Sequence, residues 1–233
     1  MKHIVQQLIV FTAAAFQLCL PTSSMAALVL ETEPNNSLAT AQAVDGHFSL
    51  DFSLDIGNGT LVDNTSLSIP HVTVRGTGDG TFDYYSFYFP GPGSTFGFVV
   101  LDIDHTSSSF NSRVALWSSD GALLGHNDDY DYRGGAEGSI AYSGSTSYDS
   151  LMTTYLTSPG TYIVGVGRFG AGPGTGGYSG GFIDAEPQSG DYYTLQISVE
   201  NVPAIPEPAT SALLSVGAIA LFGYARSKRR RPT

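Results

Sequence analysis

Tyr193-Thr194-Leu195-Gln196-Ile197-Ser198-Val199 alternates large apolar and polar side chains along its whole length. Successive side chains of a strand point to opposite faces, so a period of two describes a strand with one face in a core and the other toward water. The pattern recurs in Phe48-Ser49-Leu50-Asp51-Phe52-Ser53-Leu54, in Val72-Thr73-Val74 and in Tyr85-Ser86-Phe87-Tyr88-Phe89. More continuous apolar runs, from Phe96 to Ile103, Val114 to Trp117 and Tyr162 to Val166, fit central strands. The turn pairs Asn58-Gly59, Asp120-Gly121 and Pro159-Gly160 lie between such runs, at spacings of about ten residues. Short strands at that spacing predict an all-β fold, a single jelly-roll-like β-sandwich. Only Ser37 to Ala43 has helix-forming character, with Asn36 or Ser37 placed to cap it, and a turn fits it equally.

The two ends read differently from the middle. Lys2 precedes an apolar stretch from Ile4 to Leu20, and Ser24-Met25-Ala26 supplies small residues for cleavage before Ala27, which predicts a helical signal peptide over residues 1–26. At the other end Pro206-Glu207-Pro208 is followed by the apolar run Ala209 to Ala225 and by Arg226-Ser227-Lys228-Arg229-Arg230-Arg231. About 17 to 25 apolar residues cross a bilayer core as a helix, so residues 209–225 are just long enough for a transmembrane helix. The basic cluster behind them predicts a cytoplasmic C-terminus with everything upstream outside. The single cysteine, Cys19, lies in the signal peptide, so the exported chain has no disulfide, catalytic thiolate or Cys-ligated zinc.

All 21 acidic residues fall between Glu31 and Glu207, against Arg75, Arg113, Arg133 and Arg168 and no lysine. Such a field repels nucleic acid and other polyanions and attracts divalent cations. The segment Glu31-Thr32-Glu33-Pro34-Asn35-Asn36 places Glu31, Glu33 and Asn35 on one side of an extended chain. Hard cations such as calcium take about six to eight oxygen ligands, and carboxylates with amide carbonyls supply them. A second acidic group, Asn127-Asp128-Asp129-Tyr130-Asp131, joins Asp149 as a further cation candidate or forms plain turns. It lacks the glycine and terminal glutamate of an EF-hand loop.

Two resemblances extend this reading. The order Pro206-Glu207-Pro208, apolar helix and basic end resembles the PEP-CTERM sorting signal of bacteria that secrete extracellular polysaccharide. That resemblance implies that Pro206, Glu207 and Pro208 are recognised by a membrane transpeptidase, exosortase, and that the anchor is transient, with the protein passed to the cell surface or extracellular matrix. The leader Glu31 to Ser37, the segment Gly78-Asp79-Gly80-Thr81-Phe82-Asp83-Tyr84-Tyr85-Ser86-Phe87 and Ser158-Pro159-Gly160-Thr161-Tyr162 together resemble the bacterial pre-peptidase C-terminal domain, a β-sandwich. In its calcium-binding relatives the leader and the acidic turn share metal, which implies Glu31, Glu33, Asn35, Asp79 and Asp83 as ligands with Asn36 as neighbour. Asp79 and Asp83 stand farther apart than in the tightest versions of that turn, and Asn36 replaces a frequent aspartate. The expected layout is a signal peptide over 1–26, the sandwich over 27–202 and the sorting signal over 203–233. The insertions Ile56 to Pro70 and Gly170 to Pro187 exceed a compact module.

Catalytic patterns are weak. Gly177-Tyr178-Ser179-Gly180-Gly181 fits a nucleophile elbow, but no helix is predicted after it to expose the serine. Gly172-Pro173-Gly174-Thr175-Gly176-Gly177 fits a dinucleotide fingerprint without the βαβ unit that chemistry needs. The histidines show no zinc spacing. The expectation is a non-enzymatic surface or matrix protein that acts by binding or as structure and is stabilised by calcium. The alternative is a carbohydrate-binding or weakly hydrolytic protein associated with extracellular polysaccharide, using Tyr130, Tyr132, Tyr142, Tyr148 and Tyr178.

Overall fold

The computed structural model describes residues 28–57, 64–93, 96–128, 149–181 and 184–205. The signal peptide, the motif at 206–208, the apolar segment 209–225, the loop residues from Asp129 onward and Tyr130, Tyr132, Tyr142 and Tyr148 lie outside them. All described residues belong to one compact unit, Ala26–Ile205. Among them no helix is long and apolar enough to cross a membrane.

The strands are β1 (Leu28–Leu30), β2 (Gln42–Ala43), β3 (His71–Thr77), β4 (Asp83–Phe89), β5 (Gly97–Asp104) and β6 (Ser112–Ser118). They continue as β7 (Leu123–Asn127), β8 (Leu151–Leu156), β9 (Gly160–Arg168), β10 (Gly172–Gly174), β11 (Gly177–Ser179) and β12 (Tyr192–Val199). They form two five-stranded sheets, β1-β3-β12-β5-β8 and β2-β4-β9-β6-β7, and a separate hairpin β10-β11. Leaving aside β1 and β2, the orders β3-β12-β5-β8 and β4-β9-β6-β7 have the antiparallel jelly-roll connectivity, so the predicted all-β sandwich is the fold observed. β1 and β2 then add in parallel, one to the edge of each sheet, on β3 and β4.

Alternation builds the core as the sequence predicts. Leu195, Ile197 and Val199 of β12 point inward beside Val72 and Val74 of β3 and Val99, Leu101 and Ile103 of β5. They face Tyr85, Phe87 and Phe89 of β4, Val164 and Val166 of β9 and Val114 and Leu116 of β6. Each such side chain contributes about 1.5–3 kcal/mol when withdrawn from water. One predicted strand is not formed. Phe48 to Leu54 makes a single bridge, Ser49 to His71, with Phe48 buried but Phe52 and Leu54 62 % and 65 % exposed. Its backbone runs past the start of β3 without a continuous ladder partner, and the alternation predicts neither a strand nor the burial there, since Ser49 and Asp51 are buried while Phe52 and Leu54 are exposed. The helical stretch contracts to one 3-10 turn, Leu38–Thr40, where Ser37 N donates to Thr40 Oγ1 at 3.2 Å.

The glycine-rich insertion roofs the outer face of the second sheet. Trp117 Nε1 donates to Gly174 O at 2.7 Å, and the Tyr178 ring stacks on Phe82 with centroids 4.9 Å apart while meeting Trp117 edge-on at 5.1 Å. This second apolar cluster includes Tyr84, Ala115 and Ile163. The rings close over Gly165 of β9, where an added Cβ would lie 2.7 Å from Trp117 Cζ3 and 2.9 Å from Tyr178 Cε2. Gly165→Ala is therefore expected to destabilise the protein by about 1–3 kcal/mol through overpacking. Gly174→Ala, whose Cβ enters open space, should stay within about 0.5 kcal/mol. Urea unfolding of the two variants checks the pair.

Candidate metal centre

The leader between β1 and β2 crosses from the edge of one sheet to the edge of the other. Thr32 N donates to Gln42 Oε1 at 2.8 Å and Gln42 Nε2 to Leu30 O at 2.9 Å, so one side chain ties the two ends of the crossing together. Glu31 N bonds to Arg75 O at 3.1 Å on the first sheet, and Tyr84 N to Asn35 O at 3.0 Å on the second. These bonds hang Glu31, Glu33 and Asn35 over the end of the sandwich where β4 starts with Asp83.

Three of the expected ligands converge there. One carboxylate oxygen from each of Glu31, Glu33 and Asp83 lies within 4.8 Å of the others. Asn35, wholly buried, donates from Nδ2 to Glu31 Oε1 at 3.1 Å, and its backbone N donates to Glu33 Oε2 at 2.9 Å. Asp79 accepts from Thr81 N and Oγ1 in its own turn, at 2.8 and 2.6 Å, yet stands close enough for its charge to act on both Glu33 and Asp83. Asn36 is exposed at the start of the 3-10 turn, and the three-carboxylate group is complete without it.

Two tyrosines that the sequence reading treated as packing join this cluster. Asp83 Oδ2 is 2.6 Å from Tyr193 Oη, Tyr193 Oη is 2.7 Å from Tyr85 Oη, and Tyr85 Oη donates to Glu31 Oε1 at 2.7 Å. Glu31 Oε2 accepts from Thr77 N at 2.6 Å. Tyr193 reaches this position because its ring lies across Gly76, its cross-strand partner on β3, where any Cβ would overlap the ring. The available signal was their inward register, since a buried tyrosine hydroxyl at a strand end needs a polar partner.

Proton counting exposes the electrostatic problem. Three short oxygen–oxygen contacts link Asp83, Tyr193, Tyr85 and Glu31, but the two hydroxyls bring two protons. A proton on Asp83 completes the series, each group donating to the next. Burial, followed by the charge of Glu31, pushes the pKa of Asp83 from 3.8 to about 9, and burial raises Tyr85 and Tyr193 well above their usual range. Glu33 is also raised, first by burial and then by Asp79 and Glu31, against the backbone N–H of Asn35. Asp83 Oδ1 and Asn35 Oδ1 are buried and accept no hydrogen bond. An all-oxygen set with an excess of negative charge and two free lone-pair donors fits a hard divalent cation.

The remaining candidates sort as follows. Asp128 forms an ion pair with Arg113, 2.7 Å apart. Tyr178 is half-buried, and its hydroxyl donates to Arg113 O at 2.9 Å under the hairpin roof. Ser179 sits on β11, and its hydroxyl donates to Gly172 O at 3.0 Å.

Comparison with known proteins addresses the tail. Residues 204–231 match the PEP-CTERM protein-sorting motif. The chain carries a PEP-CTERM sorting signal. The motif marks the protein as exported and sorted at the membrane and cell surface. Similar solved structures include the pre-peptidase C-terminal domain of collagenase from Bacillus anthracis, 13% identical over 56% of this chain and 89% of that one, with a TM-score of 0.30. Another is PliG of Aeromonas hydrophila, a periplasmic inhibitor of g-type lysozyme, 12% identical over 57% and 89%, also with a TM-score of 0.30. No curated protein matches the chain in sequence.

Without metal, stability should fall with rising pH. Between 3.8 and about 9 the folded protein keeps a proton on Asp83 that the unfolded chain has released. That stabilisation is complete below the lower value and is lost as pH rises through the upper one. Of the groups facing Asp83, Glu31, Glu33 and Asp79 raise it further, and the Tyr193 hydrogen bond opposes them. Asp83→Asn is neutral throughout and should flatten the profile, measured by urea unfolding in EDTA across this range.

Proposed function

We propose that this protein is a sorted surface or matrix component, delivered by exosortase, whose sandwich works by binding or as structure and whose leader is locked down by calcium. The observation that carries the calcium reading is the cluster of Glu31, Glu33 and Asp83 around a proton-deficient chain of oxygens, with Asn35 Oδ1 free beside it. Glu31, Glu33, Asp83 and Asn35 are the ligands in this reading, and Asp79 adds negative charge at the rim. A bound cation takes the place of the proton on Asp83 and fixes the leader across both sheets. The lock is structural. A cation bound only by the folded state adds stability by mass action, about 2.7 kcal/mol at a hundred times its dissociation constant.

Calcium is expected to raise the melting temperature of the full chain in detergent and chelator to reverse it. Glu31→Gln combined with Glu33→Gln should abolish the response; an identical response in that variant would exclude this site. Delivery has its own test. Glu207→Ala in the host should leave the precursor uncut and deplete the surface form on immunoblots, and normal processing would remove exosortase recognition from the account.

A further inference from the structure

The two ends of the sandwich differ in charge. Where β3 ends and β4 and β12 begin, Glu31, Glu33, Asp79 and Asp83 gather. Asp184 and Glu186 stand at the same end, because Arg168 N at the end of β9 donates to Ala185 O between them at 2.8 Å. At the other end lie the stretches 90–96, 119–122, 157–159 and 200–205, which follow β4, β6, β8 and β12 and hold only Asp120 and Glu200 as charged residues. Asp45, after β2, joins them there and accepts from Tyr88 N at 2.8 Å. None of the described arginines is at this end: Arg75 pairs with Thr194 near the start of β12, Arg113 lies near the start of β6, and Arg168 closes β9.

This weakly charged end presents aromatic rings to solvent. β5 turns Val99 and Leu101 into the core, so Phe98 stands on the outer face, paired with Tyr155 of the edge strand β8. The Tyr155 ring meets Phe98 at 5.2 Å and Phe96 at 4.7 Å between centroids. Phe96 and Tyr155 are nevertheless 46% and 56% exposed. Farther along the same face Asp102, paired with Gln196, is buried with it, so the rings stay open where their neighbours are covered. The same end releases the tail. Phe98 N donates to Glu200 Oε2 and Glu200 N to Phe98 O, both at 2.9 Å, which ties the rings to the chain leaving β12. Ile205 N donates to Phe48 O at 2.8 Å, so the sandwich holds that chain up to the residue before Pro206. Four residue steps separate Ile205 from Ala209, at most about 14 Å of extended chain.

We propose that Phe96, Phe98 and Tyr155 form a contact surface for a lipid bilayer, which the sandwich touches while its tail is still attached. The inference rests on the reading of residues 209–225 as a membrane anchor. A tether that short keeps this end of the sandwich at the headgroups, where tyrosine and other aromatic rings settle with their apolar bodies inward and polar tips in water. The acidic end points away from the membrane, which suits a surface whose anionic lipids repel carboxylates. With no described arginine beside the rings, the contact is apolar and fits a neutral or zwitterionic headgroup layer. The rings hold the precursor in one orientation, with the leader cluster facing the solution.

The test uses the full chain reconstituted into phosphatidylcholine vesicles, with and without bromine on the acyl chains, and the variants Tyr155→Trp and Tyr192→Trp. Trp117, the sole tryptophan of the chain, is wholly buried and gives both variants the same background. An interfacial ring lies about 5–10 Å into the boundary of headgroups and acyl chains, so bromolipid is expected to remove most of the emission that Tyr155→Trp adds. Emission added by Tyr192→Trp, exposed at the acidic end, should not change. Absence of quenching at position 155, or equal quenching at both positions, overturns the contact. Emission at 155 that is shielded from aqueous acrylamide yet untouched by bromolipid assigns the face to a second copy of the chain and overturns it as well. If Tyr155→Trp fails to fold, Phe96→Trp is read in the same way. Flotation with the vesicles separates this inference from the one beneath it: a chain that floats without quenching keeps its anchor and loses the contact, whereas a chain that does not float loses both.

Discussion

A line of four side chains, Asp83, Tyr193, Tyr85 and Glu31, joins β4, β12 and the leader through oxygens 2.6–2.7 Å apart. It spans both sheets and the segment that straddles them, so the placement of the leader follows from how its charge is balanced. Buried carboxylates without a counter-charge are expensive in a medium of low polarity. Protonation of Asp83 balances the line when no cation is present, and in the proposed calcium-bound state a cation balances it through Glu33 and Asn35 as well. The two states differ in what holds the crossing: a chain of neutral hydrogen bonds, or an ion to which the leader's own carboxylates are bound.

The sandwich covers its two outer faces by opposite means. Over β6 and β9 the roof is apolar, with Tyr178, Trp117, Tyr84 and Phe82 packed above Gly165, and glycines let the hairpin backbone come close enough for Gly174 O to accept from the indole. Over β5 and β12 the cover lies on polar side chains, with Asp102 Oδ1 and Gln196 Oε1 left without a hydrogen-bond partner. The first roof is held by area removed from water. The second lies over polar groups, with burial holding the pKa of Asp102 well above the carboxylate range.

The jelly roll was legible because the period-two pattern of Tyr193 to Val199 and Tyr85 to Phe89 is set by burial of one face, and every ladder neighbour reinforces it. Phe48 to Leu54 shows the limit: without a strand beside it the alternation predicts neither ladder nor burial, and Ser49 and Asp51 end buried while Phe52 and Leu54 stay exposed. The leader's oxygen donors were legible as a group, since Glu31, Glu33 and Asn35 carry their chemistry locally. Asp79 and Asp83 entered through resemblance, and the structure separates their parts, with Asp83 in the cluster and Asp79 in its own turn. Tyr85 and Tyr193 are 108 residues apart, and only the folded register reveals that their hydroxyls meet. The pairing of Gln196 with Asp102 was invisible for the same reason.

Supply of counter-charge is the remaining constraint, and composition bears on it. The stretch from Glu31 to Glu207 contains no lysine and four arginines. Arg113 is committed to Asp128, to Ala171 O and to the face of Phe169, Arg168 to Asp191 and Ser109 O, and Arg75 is exposed on β3. A lysine near Asp83 would have closed the leader cluster permanently. Its absence among the described residues leaves protons and dissolved cations to do so, and both are set by the solution outside the cell. The sorting motif marks the chain for export, so in the proposed reading the acidic composition ties the leader's charge balance to the solution it meets there.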